Sequence, residues 1–150
     1  MPLKEQINAD LKTAMLARDA FRTDTLRGLK AAILNEEVAK GARETGLGDE
    51  AIEQLIAREA KKRDEAANLF EQGGNQASAD KERAEKVLLS AYLPEQLTED
   101  EIKKIVDETV AEIQPEGMKD MGRVIGAVKA KAGNAADGAL VAKLVKDSLQ

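Results

Sequence analysis

Cysteine, histidine and tryptophan are missing from this 150-residue chain, and one tyrosine and two phenylalanines are its only aromatics. The missing cysteines exclude disulfides, thiolate nucleophiles, iron–sulfur ligation and cysteine zinc sites. The missing histidines exclude Ser-His pairs and imidazole metal ligands, and leave no side chain that titrates unperturbed near neutrality. Ser78, Ser90 and Ser148 lie in no nucleophile elbow and beside no base, and no Walker-type Gly-Lys-Ser/Thr run is present. No catalytic residue is assigned, and the chain reads as a binder more than a catalyst.

Hydrophobic residues make up 43% of the chain, but only 2% are aromatic, so the core must be built from Ala, Leu, Ile and Val. That composition suits closely packed helices better than a sheet and predicts an all-α fold. The opening Met-Pro-Leu-Lys-Glu-Gln-Ile lacks the apolar run of a signal peptide, and no apolar stretch approaches membrane-spanning length. A cytoplasmic location and no membrane partner are expected. The net charge of −5 argues against general coating of nucleic acid, so DNA is not expected as a partner, while a local basic patch stays open.

Apolar residues recur at helical spacing in seven stretches. Leu3, Ile7, Leu11, Ala14 and Met15 mark the first. Leu26, Leu29, Ile33 and Val38 follow Asp19, an expected N-cap. Asp49 is read as the cap of a long helix carrying Ile52, Leu55, Ile56, Ala60, Ala67 and Phe70, which Gly73-Gly74-Asn75 stops. A fourth helix holds Ala77, Ala84, Val87, Leu88 and Ala91 and ends near Tyr92-Leu93-Pro94, because proline disfavours helix at the preceding residue. These four form an expected N-terminal domain over residues 1–92. Residues 93–150 then read as a three-helix tail: a capping box at Thr98-Glu-Asp-Glu101, a short helix marked by Met121, Val124, Ile125 and Val128, and a last one capped by Asp137.

Arg63 falls close to the apolar stripe of the third helix, and Arg22 and Glu36 fall near the ends of the stripe on the second. A polar group so placed needs a partner, since an unpaired buried charge costs several kcal/mol. A partly buried network of Arg22, Arg27 and Arg63 with Glu36, Glu37 or Glu85 is therefore expected, with a structural role. The basic run Arg58, Lys61, Lys62, Arg63 reads as an exposed face with i,i+4 pairs to Glu59 and Glu65. Carboxylates at Glu82 and Glu85, or Glu36 and Glu37, lack the Glu-x-x-His pairs of di-metal bundles, so no metal site is expected. Gly46-Leu-Gly48-Asp-Glu-Ala51 fits a dinucleotide fingerprint only loosely; no strand precedes it, and it reads as a helix connection.

The remaining constellation is basic and glycine-rich. Lys119, Arg123, Lys129, Lys131, Lys143 and Lys146 outnumber the acidic residues beyond Pro115. Gly122 and Gly126 lie four apart on one helix face, where close approach of a partner surface would offset the roughly 1 kcal/mol that mid-helix glycine costs relative to alanine. Packing on another helix and contact with an RNA backbone are the two readings of that spacing. The candidate RNA-binding set is Lys119, Gly122, Arg123, Gly126, Lys129, Lys131, Gly133 and Asn134.

Together these residues resemble the YqeY-type proteins (GatB/YqeY family). The resemblance runs through Leu26-Arg27, Ala32-Ile33, Asp49-Glu50, Lys62-Arg63-Asp-Glu65-Ala66, Phe70 with Gly73-Gly74, and Tyr92-Leu93-Pro94-Glu95-Gln96-Leu97. The tail, at Met121-Gly122-Arg123-Val124-Ile125, Gly133, Ala136-Asp137-Gly138 and Val141 with Leu144-Val145, is also similar to the C-terminal domain of the B subunit of the tRNA-dependent Asp/Glu amidotransferase. The resemblance implies an all-helical protein with a four-helix N-terminal region and a three-helix tail of the type that, in the amidotransferase, lies against tRNA; Gly122, Arg123, Lys131, Gly133 and Asp137 are the matching positions, with Arg123 and Lys131 meeting phosphates. Asn75 stands where relatives are expected to carry arginine. Glutamine-dependent carbon–nitrogen ligase activity attaches to the family by name, but the subunit and domain that perform it have no counterpart in this chain. The expected function is accessory tRNA or RNA binding. The alternative is a helical adaptor that docks on an amidotransferase (transamidosome) or aminoacyl-tRNA synthetase component. No cofactor is implied.

Overall fold

A computed structural model describes residues 1–150 and contains seven α-helices and no strand, the all-α class that the composition predicts. The chain divides into two compact units, Met1–Leu93 and Pro94–Gln150.

In the first unit, α1 (Leu3–Leu16) buries Ile7, Leu11 and Ala14 along one face, and Arg18, in a left-handed conformation at φ 56°, ends the run. Asp19 caps α2 (Ala20–Ala39) by accepting the Arg22 amide at 3.0 Å. Leu26, Leu29 and Ile33 of α2 face the core, and Glu37 continues the same stripe. α3 (Asp49–Gln72) starts one residue earlier than expected: Gly48 is its N-cap, and Asp49 instead accepts the Leu3 amide at 2.9 Å, tying the start of α3 to that of α1. Gly73 and Gly74 close α3, the latter at φ +79°, a backbone state that glycine enters without steric cost. Asn75 then caps α4 (Gln76–Ser90) through the Ser78 amide at 3.1 Å, a role that periodicity alone did not identify.

Ile7, Leu11, Leu26, Leu29, Ile33, Ile52, Leu55, Ile56 and Leu89 form the main core of this unit, together with Ala14. Several positions differ from the sequence reading. Met15, Val38 and Phe70 are exposed by 48%, 57% and 39%, at the edges of their stripes. On α4 the buried residues are Ala79 and Leu89, whereas Val87 is 72% exposed and the expected stripe positions Ala77, Ala84 and Ala91 also face solvent. Val87 and Leu89 are two apart and so lie on opposite sides of a helix; three adjacent apolar residues left the phase open, and packing against α3 settles it.

The second unit contains α5 (Glu99–Ile113), α6 (Met121–Ala132) and α7 (Gly138–Leu149), with a 3-10 turn at Met118–Asp120 before α6 and another at Gly133–Ala135 after it. The Thr98 hydroxyl accepts the Glu101 amide at 3.2 Å, and Asp137 accepts the Ala139 amide at 3.1 Å, so both expected caps are present. Ile102 and Val106 of α5, Val124 and Val128 of α6, and Val141, Leu144 and Val145 of α7 form the core.

At the end of the first unit, the Tyr92 hydroxyl donates to Asp10 Oδ2 at 2.5 Å, joining the residue after α4 to α1. Burial first, and then the hydrogen bond to Asp10 and its charge, push the phenol above its ordinary value of 10.0, while Arg22 opposes the shift. The folded chain thus keeps a proton that the unfolded chain releases near pH 10. The stabilisation is fully present below that pH and is lost progressively as pH rises from there toward the higher value of the folded phenol. Urea unfolding of wild type and Tyr92→Phe should differ by about 1–2 kcal/mol at pH 8, and the gap should narrow above pH 10. A gap that persists through pH 11 would contradict the proton linkage.

Candidate nucleic-acid interface

α6 is held by two fully buried valines, Val124 and Val128, while Met121, Ile125 and Ala132 flank them half-buried. At 100° per residue, this anchoring turns Lys129, Gly122, Gly126, Ala130 and Arg123 to the opposite side, an arc of about one third of the helix circumference. All five are exposed. A Cβ placed on Gly122 or Gly126 would meet no atom within 4 Å. No helix of the second unit packs on the glycines, so helix–helix contact inside the unit does not explain their spacing.

The cations of the expected set divide into two groups. Arg123 lies on the open arc, its side chain 61% exposed and its guanidinium 3.7 Å from Asp120. Exposed pairs of this kind contribute about 0–1 kcal/mol, so the arginine is readily released to another anion. Lys119, just before α6, pairs with Glu116 in a more exposed contact. Lys129 lies on the arc and reaches the start of α7: its Cε and Nζ would be 3.6 Å from a Cβ on Gly138. Lys131 instead leans toward α5, where its Nζ meets Glu112 at 2.8 Å. The structure therefore does not bring Lys131 onto the arc that holds Arg123 and Lys129.

The elbow after α6 is fixed by backbone geometry. Gly133, at φ 60° and ψ −146°, occupies a region that L side chains rarely enter. The segment ahead of α5 clamps the next residues: Leu97 N–H donates to the Ala135 carbonyl at 2.8 Å, and Gln96 Nε2 donates to the Asn134 carbonyl at 3.1 Å. Asn134 is thus placed at the elbow through its backbone, and Gly133 is exposed beside it. Gly138 was absent from the expected set, although its position directly after the Asp137 cap marks it as the first residue of a helix N-terminus.

The expected polar network is divided among separate partners. Arg63 is the hub on α3: its Nε lies 2.9 Å from Glu85 and 3.8 Å from Glu82, and Nη1 lies 3.6 Å from Glu59. Nε is buried without an aligned acceptor, so its contact with Glu85 is Coulombic rather than a hydrogen bond. Glu36 is elsewhere, with Lys40 at 3.2 Å and Arg58 at 3.3 Å. Glu37, only 2% exposed, pairs with Lys4 Nζ at 2.5 Å. Arg22 and Arg27 are exposed and join neither Arg63 nor these glutamates. Helical spacing predicted which charges lie near the stripes, but the rotation of neighbouring helices decides which of them meet.

A two-unit helical protein with an open, acid-free helix arc is the class that fold and site define. The family described as "Yqey-like protein" matches residues 4–149, and the chain belongs to it. Among curated relatives, "Altered inheritance of mitochondria protein 41, mitochondrial" of Pyrenophora tritici-repentis is 28% identical over 145 residues, covering 95% of this chain and 78% of the relative. The protein of the same name from Eremothecium gossypii is 32% identical over 87 residues, covering 58% of this chain and 46% of its own length. No helix here is long and apolar enough to cross a membrane.

Because Gly126 is mid-helix and faces open space, Gly126→Ala should raise the unfolding free energy by about 1 kcal/mol in urea denaturation. A loss of stability would contradict the open geometry.

Proposed function

We propose that this chain is an accessory tRNA-binding protein whose second unit lays the open arc of α6 on the phosphate backbone. The observation that carries the reading is Gly126, open to solvent between Arg123 and Lys129 on a helix that contains no acidic residue. Glycine there lets the helix backbone approach a partner more closely than any side chain permits, at the conformational cost noted above. Arginine supplies a planar fork for phosphate oxygens and lysine a point charge. A-form RNA is recognised largely through phosphates, 2′-hydroxyls and shape, which suits a helix face made of small residues and two cations.

We take the tail's resemblance in sequence to the C-terminal domain of the amidotransferase B subunit as support for tRNA as the RNA. On this reading, carbon–nitrogen ligase chemistry belongs to a larger assembly, to which this chain contributes RNA contact, and the proposed site of action is the cytoplasm. The word "mitochondrial" in the relatives' names describes those proteins. A second reading, docking on an amidotransferase or synthetase component, is supported by Leu69 and Phe70, exposed by 69% and 39% near the end of α3. A protein partner retained after nuclease treatment would favour it.

Binding of the full chain to tRNA, measured at several salt concentrations, tests the first reading. Arg123→Ala combined with Lys129→Ala should reduce the magnitude of the slope of log affinity against log salt by about 2, with similar loss for all tRNA species. An unaltered slope would remove both residues from the interface.

A further inference from the structure

The first unit contains a cleft that the RNA reading does not use. It lies between α1 and α2 and encloses about 330 Å³, near the lower end of the ~300–1,000 Å³ typical of small-molecule sites. Ile7 and Ile33, both buried, supply apolar lining, and Leu34, 43% exposed, stands at the lip. Arg27, Lys30, Ala31 and Leu34 follow one another at i, i+3, i+4 and i+7, so they form a single ridge of α2 beside the buried stripe of Leu26, Leu29 and Ile33.

The charges of the cleft are arranged unequally. Glu37 and Lys4 satisfy each other in their 2.5 Å pair, with Glu37 buried. Gly46 approaches this pair, 3.8 Å from Lys4 Nζ and 3.9 Å from Glu37 Oε1 when measured from the position of an added Cβ. Arg27 and Lys30 are exposed, line the same cleft, and enter no ion pair. From Arg27 to Glu37, α2 extends about 15 Å along its axis. One part of the cleft is therefore closed by a neutralised pair, the middle is apolar, and another part carries two unspent positive charges.

We propose that this cleft binds a small anionic amphiphile, a fatty carboxylate in type, with its chain against Ile7, Ile33 and Leu34 and its carboxylate at Arg27 and Lys30. An apolar body removed from water supplies the attraction, and a charge-assisted contact at Arg27 and Lys30 orients it. A cationic amphiphile of the same chain length would set its head against Arg27 and Lys30 and be rejected by like charge.

Titration of the full chain with decanoate, followed by amide chemical shifts, provides the test, with decyltrimethylammonium as the opposite-charge control. Saturable binding centred on Ile7, Ile33 and Leu34 is expected, at least about tenfold tighter for decanoate than for the cation. Arg27→Gln combined with Lys30→Gln should abolish that preference. Both side chains are exposed and unpaired, so the fold should persist, and an unchanged melting temperature would verify it. Equal binding of the two amphiphiles, shifts centred outside the cleft, or full preference in the double variant would overturn the proposal.

Discussion

Burial of Val124 and Val128 against Ile102, Val106, Val141 and Val145 determines how α6 is rotated about its own axis, and the character of the second unit depends on that rotation. The unit contains no aromatic residue, so the seam consists of short aliphatic side chains. Burying each contributes roughly 1.5–3 kcal/mol, enough for two valines and their half-buried neighbours to fix one face of a twelve-residue helix. With that face committed, Gly122 and Gly126 face open space, Arg123 keeps only its long contact with Asp120, and Lys129 reaches along the surface to the start of α7. Lys131, on the α5 side of the same helix, has Glu112. One rotation thus separates a cation that supports the bundle from those available to a partner.

The first unit solves a different problem. Ala60 and Ala67 on α3 and Ala79 on α4 are buried, and small residues allow close approach of helices. Charge is then placed at the margins of this packing: Arg63 gathers Glu59, Glu82 and Glu85, and Glu37 is buried against Lys4. Arg63 is 29% exposed, so its pairs are partly screened and serve better to specify the mutual register of α3 and α4 than to add stability.

Helix number and most caps were legible in the sequence because they are local. Asp19, Thr98 and Asp137 each bond an amide two or three residues away, and the glycine pair at 73 and 74 ends α3 without help from distant residues. Three kinds of information were not local. The phase of Val87, Leu88 and Leu89 depends on where α3 lies, so Leu89 was overlooked as core. Partners of Arg22, Arg27 and Glu36 depend on helix rotation, so the expected meeting of Arg63 with Glu85 forms, while Glu36 and Glu37 find other cations and two arginines are left over. Whether Gly122 and Gly126 meet another helix depends on the whole second unit, and within it they meet none. The candidate residues of the elbow were readable as types and spacing, but the division between Lys129 on the open arc and Lys131 at α5 is set by the rotation of α6 against its neighbours.

Glycine amides offer the most direct view of the claim that α6 meets RNA with its open face. Full-length chain labelled with ¹⁵N and titrated with tRNA at low salt should show its largest shifts or broadening at Gly122, Gly126, Gly133 and Gly138, with Gly28, Gly41 and Gly73 of the first unit little changed. Perturbations concentrated in the first unit, or none at any glycine of the second, would contradict it.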